Sequence, residues 1–120
     1  MKGYMNTDIG EVAISQDVIA NYAGSAACEC FGIVGMAIVS VKDGISTLLG
    51  RENLSKGVEV SVNANNEIKI KLHVIIAYGV NISTVCDNLE ENVRYKVEKS
   101  TGMKVRKITV YVEGVRVTEQ

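Results

Sequence analysis

The stretch GVEVSVNANNEIKIKLHVIIA, residues 57–77, decides the fold. In it Val58, Val60 and Val62 alternate with Glu59, Ser61 and Asn63, and Ile68, Ile70, Leu72, Val74 and Ile76 alternate with Lys69, Lys71 and His73. A period of two belongs to strands, because successive side chains leave a pleated backbone on opposite sides. Between the two runs, Ala64-Asn65-Asn66 carries turn chemistry, since asparagine tolerates positive φ. The segment is predicted to be an antiparallel hairpin with one buried face, with Ile75 and Ala77 extending burial to both faces at its end.

Toward the C-terminus, Tyr78-Gly79-Val80 breaks the strand, and Asn81 or Ser83 is placed to cap the longest helix. Ile82, Leu89, Val93 and Val97 form its core stripe at helical spacing. Asp87, Glu90 and Glu91 occupy its first half and Lys96 and Lys99 its end, an order that suits the helix dipole. Gly102 stands where a left-handed residue would end the helix. Val105 to Val112 then alternates again, with Ile108, Val110 and Val112 inward and Lys107, Thr109 and Tyr111 outward.

Toward the N-terminus, Glu11 to Ile14 reads as a short strand ended by Ser15, a residue that caps helices through its hydroxyl. Counted from Ser15, Ile14 and Ile19 occupy the two positions of a hydrophobic staple. The helix that follows, Gln16 to about Glu29, is thin because of Ala20, Ala23, Gly24 and Ala27. Gly24 in its middle costs about 1 kcal/mol relative to alanine, and close packing is the expected compensation. Ile33 to Val41 reads as a turn into a short strand. Asp43 to Arg51 reads as a loop with one helical turn capped by Asp43. The order is β-α-(β)-β-β-α-β. It predicts an α/β protein of the α+β sandwich kind: one domain over residues 1–120, with a small mixed sheet of three to five strands and two helices on one face.

Composition narrows the function classes. A chain of 120 residues can bury roughly two-thirds of its unfolded surface without disulfides or metal. The formal net charge of −1 provides no global field for nucleic acid or acidic lipid. No Trp and a single Phe weaken any case for base stacking. Six cations, Arg94, Lys96, Lys99, Lys104, Arg106 and Lys107, gather around Glu98, and they read first as a solvated helix end. Three cysteines do not describe a secreted disulfide framework. The N-terminal stretch lacks the apolar core of a signal peptide, and the apolar run Ile33 to Val41 is far too short to span a bilayer. The expectation is a cytoplasmic protein with no direct membrane insertion, its membrane contact borrowed from a partner.

Each chemical motif has a plainer counterpart. Cys28 and Cys30, two residues apart on a helix, point about 200° away from each other. They read as buried small hydrophobes, and no metal, cofactor or catalytic residue is expected. His73, the only histidine, lies among outward strand positions beside Lys69 and Lys71 and reads as an exposed strand residue. Gly32-Ile33-Val34-Gly35 matches the GXXG turn with which KH domains clamp single-stranded nucleic acid. A nucleic-acid surface would then use Gly32 and Gly35 with Arg94, Lys99, Lys104, Arg106 and Lys107. Against it, both middle residues are apolar and no cation lies between Lys2 and Lys42. Tyr78, Gly79, Tyr95, Tyr111 and Arg116 are candidates for a protein-binding face, because Tyr and Arg bury area while keeping a polar end.

The segments GEVAIS (10–15), DVIANYAGSAACECFGIVGM (17–36), KGVEV (56–60), IIAYGVNIS (75–83), VRYKVEKSTGMKV (93–105) and ITVYVEGVRV (108–117) together resemble the alkaline shock protein family. Within it they are most similar to the short YloU-type branch of Gram-positive bacteria. The resemblance implies a role in alkaline or cell-envelope stress without established catalytic residues. It implies a non-enzymatic adaptor or scaffold that binds a membrane-anchored or kinase-like protein and self-associates. The alternatives it leaves are a KH-like RNA-binding module and an accessory subunit of a fatty-acid-kinase-like enzyme.

Overall fold

The computed structural model describes residues 2–39 and 46–117. Strands β1 (Gly3–Thr7) and β2 (Gly10–Ile14) form an antiparallel hairpin, followed by helix α1 (Gln16–Cys28). Strands β3 (Ile33–Val39) and β4 (Ser46–Leu48), a 3₁₀ helix at Arg51–Gly57, and strands β5 (Val58–Val62) and β6 (Glu67–Ala77) come next. Helix α2 (Ile82–Thr101) and strand β7 (Lys104–Arg116) complete the chain. The predicted α+β order is present, with two additions: strand β1, and strand β4 where a loop was expected.

β6 organises the main sheet. β5 runs antiparallel to its first half, from Val58 opposite Leu72 to Val62 opposite Ile68. β3 runs antiparallel to its second half, from Ile33 opposite Ile76 to Met36 opposite Val74, and β4 adds to the far side of β3. β7 lies parallel to β6 along its whole length, from Lys104 opposite Glu67 to Arg116 opposite Ala77. The ladder shifts register twice, at Arg106 and at Glu113, so each of these residues is an extra one on β7.

The even-numbered residues of β6, Ile68 to Ile76, are sealed against the two helices, together with Ile19, Ala23 and Ala27 of α1 and Leu89, Val93 and Val97 of α2. α1 is capped as predicted, Ser15 Oγ accepting from Val18 N at 3.3 Å. Of the two candidates, Asn81 caps α2, accepting from Thr84 N at 3.0 Å. Gly102, at φ 71°, ends α2 with its N–H on Glu98 O at 2.8 Å. Gly24 does allow a close approach: a Cβ there would lie 3.2 Å from Leu54 Cβ of the 3₁₀ helix. In the β5–β6 turn Asn63 Oδ1 accepts from Asn65 N and Glu67 N, both at 2.9 Å, and Asn66 takes the positive φ of 62°.

Three expectations need correction. Ile82 is exposed; Val85, one turn further in and set against the turn at Gly32, replaces it at the head of the α2 stripe. Burial fades along β7, from a buried Ile108 through a half-buried Val110 to an exposed Val112, because the helix layer leaves that edge uncovered. Between Asp43 and Arg51 the structure has β4, whose three residues are too few for periodicity to register, and the helical turn comes later, as the 3₁₀ helix. The proposed Asp43 cap lies outside the described residues.

Candidate functional site

Two exposed regions combine unusual chemistry with a defined frame. The first lies where α1 gives way to β3 and β6 gives way to α2. Cys30, expected on the helix, lies two residues beyond α1, its thiol donating to Ala26 O at 3.5 Å, and Asn92 of α2 reaches both Ala26 O at 3.1 Å and Cys30 Sγ at 3.2 Å. That clamp fixes the turn at Gly32, which adopts φ 84°. A Cβ at Gly32 would sit 2.7 Å from Val85, so glycine alone lets the chain cross the start of α2 here. The same turn directs Phe31 outward, 79% exposed. Beside it Gly79, at φ 91°, turns the chain from β6 toward α2, leaving Tyr78 73% exposed. Phe31, Gly79, Val80 and Val85 line an open groove of about 460 Å³, rimmed by Asn81, Thr84 and Asn88. An aromatic exposed to this degree beside an apolar groove is the usual mark of a protein contact.

The second region is the face of the sheet opposite the helices. β6 presents Lys69, Lys71 and His73 there; β5 adds Glu59 and Ser61, and β7 adds Lys107, Thr109, Tyr111 and Glu113. His73 is not simply exposed. Its Nδ1 lies 2.6 Å from Glu113 Oε2 and its Nε2 lies 2.8 Å from Glu59 Oε2. The imidazole stacks on Tyr111, with centroids 4.8 Å apart and planes at 10°. Burial alone would lower its pKa, but the hydrogen bonds His73 donates to Glu113 and Glu59, with their charges, outweigh burial and raise it above the ordinary 6.5. The hydrogen bond to His73 in turn holds the Glu59 carboxyl below its ordinary value, against a smaller effect of burial. An imidazole engaged by a carboxylate at both nitrogens is a clip between β5 and β7. Next to it Glu59, Ser61, Lys69, Lys71, Lys107 and Thr109 border a shallow depression of about 380 Å³.

The protein-binding candidates fall into three places. Tyr78, Gly79 and Arg116 come together, Tyr78 N donating to Arg116 O at 2.7 Å. Tyr111 belongs to the sheet face with His73. Tyr95 stands apart on α2, with Lys99 Nζ 5.6 Å above its ring. The nucleic-acid candidates are also divided. Gly35 lies within strand β3, not in a loop. The Gly32 carbonyl accepts from Ala77 N at one end of β6, whereas Lys104 pairs with Glu67 at the other, a separation of roughly 33 Å at ordinary strand rise. Arg94 donates to Val105 O and Arg106 lies 3.7 Å from Glu67, so both cations have partners within the fold. The cysteines form no disulfide; burial, with Glu90 and Asp87 adding to it, pushes the Cys86 thiol up, away from a reactive thiolate.

Phe31 and the His73 carboxylate pair were not singled out from the sequence. Phe31 carried one faint signal, as the only Phe in an aromatic-poor chain, set beside a glycine at a helix end. Glu59 and Glu113 lie 14 and 40 residues from His73, and no local pattern joins them.

The family model of the alkaline shock proteins, described by a cell envelope-related function, matches residues 4–117. The chain is 43% identical to the uncharacterized protein YloU of Bacillus subtilis (strain 168), over 95% of both chains. It is 39% identical to the uncharacterized protein Spy1614 of Streptococcus pyogenes serotype M6, over 94% of this chain and 93% of that one. To a second Bacillus subtilis protein, the uncharacterized YqhY, it is 30% identical over 92% of this chain and 81% of that one. No solved structure matches significantly.

Proposed function

The chain belongs to the alkaline shock protein family, whose function is cell envelope-related, and from that premise we propose that it is a non-enzymatic adaptor that receives a protein partner in the groove beside Phe31. The observation that carries this reading is the pairing of a fully presented aromatic side chain with an apolar groove whose walls are held by Gly32, Val85 and the Asn92 clamp. The groove is preformed, so a partner's apolar side chain would enter without the entropy cost of ordering it. In this reading the one imidazole, held between two carboxylates and stacked on a tyrosine, serves to join β5 to β7.

Among the described residues no helix is long and apolar enough to cross a membrane. The proposed location is the cytoplasm, with the envelope reached through a membrane-anchored or kinase-like partner. Affinity purification of the tagged chain from a Gram-positive host, with wild type compared against Phe31→Ala and with nuclease-treated and untreated lysates, tests the reading. A protein recovered with wild type, lost with Phe31→Ala and indifferent to nuclease is the expected result. Recovery of RNA, with protein partners lost after nuclease, would overturn it.

A further inference from the structure

The open face of the sheet holds a row of like charge. Lys69 of β6 stands directly opposite Lys107 of β7, and Ser61 of β5 stands opposite Lys69 on its other side. In the next row Lys71 lies between Glu59 and Thr109. Neighbouring strands run about 4.8 Å apart, so two ammonium side chains set opposite each other on one face repel and cost stability. The fold does not neutralise them. Among the described residues Lys69, Lys71 and Lys107 form no ion pair, although three carboxylates share their face. Glu59 and Glu113 are turned onto the two nitrogens of His73. Glu67 accepts from Asn63 Nδ2 at 3.0 Å and lies 3.7 Å from Arg106. The carboxylates are thus spent on other partners, and the lysines are left facing water around the depression of about 380 Å³, with Ser61 and Thr109 beside them.

We propose that this depression binds the phosphate group of a small phosphorylated molecule, held by Lys69, Lys71 and Lys107. A phosphate monoester carries about 1.5 to 2 negative charges near neutral pH and three acceptor oxygens. Each lysine brings a compact charge with three donors on a flexible stem, and the hydroxyls of Ser61 and Thr109 add donors that reach a remaining oxygen. A dianion there turns the repulsion between Lys69 and Lys107 into two attractions. The size of the ligand follows from what frames the lysines. The cationic stretch is two rows deep, with Glu59 and Glu113 on His73 at one end and Glu67 at the other. An extended polyanion laid along the strands would run from the lysines into those carboxylates, whereas a single phosphate group stays between them. This inference goes beyond the adaptor reading and uses a different surface from the groove beside Phe31.

Amide shifts followed while inorganic phosphate replaces chloride at constant ionic strength test it. A saturating change confined to Ser61, Lys69 to Lys71 and Lys107 to Thr109 is expected. Lys69→Gln and Lys107→Gln each remove one of the facing charges and are expected to weaken binding roughly tenfold. Lys99→Gln, on α2 behind the sheet, is expected to leave binding unchanged. Thermal unfolding gives a second reading that does not depend on assigned shifts. Without phosphate, Lys107→Gln is expected to unfold no lower than wild type, because the repulsion is relieved, and phosphate is expected to raise the midpoint of wild type more than that of the variant. Phenyl phosphate, a simple monoester, is expected to compete with inorganic phosphate, and phosphatidylcholine vesicles containing phosphatidic acid are expected not to retain the chain. Changes no larger than chloride produces, changes centred elsewhere, or variants that bind as tightly as wild type would overturn the proposal. Retention on the vesicles without a response to inorganic phosphate would overturn it as well, by assigning the lysines to a lipid surface.

Discussion

Along β6, Ile68, Ile70, Leu72, Val74 and Ile76 are sealed under two helices, whereas Lys69, Lys71 and His73, alternating with them, look out from the open side. One strand thus serves two environments. On the covered side van der Waals packing leaves no latitude, since losing even a few methylenes opens a void in a close-packed interior. On the open side the groups are held by charge and stacking, in contact with water, where each interaction contributes little to stability. The difference teaches where to look for function: the covered side is committed to the fold, and the open side and the uncovered ends of the layers are free for contacts.

The contrast breaks most visibly on the covered side. Leu72→Ala, at a fully buried position, is expected to cost about 2–5 kcal/mol in urea unfolding. Gly32→Ala comes next, because a side chain there must accept φ 84° and meet Val85 at 2.7 Å. A loss of about 2–3 kcal/mol is expected from these two causes. Retention of wild-type stability would show that the turn beside Phe31 adapts.

The open side is sharpened by pH. The folded pKa of His73 is raised above the ordinary 6.5 by Glu113 and Glu59, against burial. Its stabilising contribution is therefore fully present below about 6.5 and is lost as pH rises through the folded value. His73→Gln is expected to flatten this alkaline decline, with a difference of about 1 kcal/mol or less below pH 6.5. Thermal unfolding at a series of pH values reads it out, and parallel curves for the two proteins would mean that the imidazole is not charged in the fold. The smallest effect belongs to Lys69→Gln, which is expected to change stability by less than about 0.5 kcal/mol. A larger change would place Lys69 among the groups that hold the sheet together.

What was legible in the sequence was what local pattern encodes. The alternation from Val58 to Ile76 gave the central hairpin, Ser15, Asn81 and Gly102 gave helix ends, and Gly24 announced a close approach. What escaped was set by distant partners or by the edges of layers. Periodicity placed Ile82 in the correct angular stripe of α2 and could not say that burial begins only at Val85. It placed Val112 on the correct, inward face and could not say that burial fades there. His73 was read from its strand position alone, while its partners come from β5 and from an extra residue in β7. The tyrosine candidates were chosen by residue type, and the fold distributes them over three places.

The N-terminal hairpin carries a consequence of its own. It meets the β5–β6 turn through one carboxamide: Asn66 Oδ1 accepts from Tyr4 N at 2.8 Å, and Asn66 Nδ2 donates to Tyr4 O at 2.5 Å. A side-chain amide has the same donor and acceptor as a peptide group, so Asn66 acts as a single detachable rung at the end of the β1 ladder. Gly3 seats the strand against Met103, while Ile9 at the far tip is 99% exposed. To swing away, the hairpin would have to give up that rung, the Met103 contact and the packing of Met5 against the core, so its far tip at Ile9 is the end expected to loosen first.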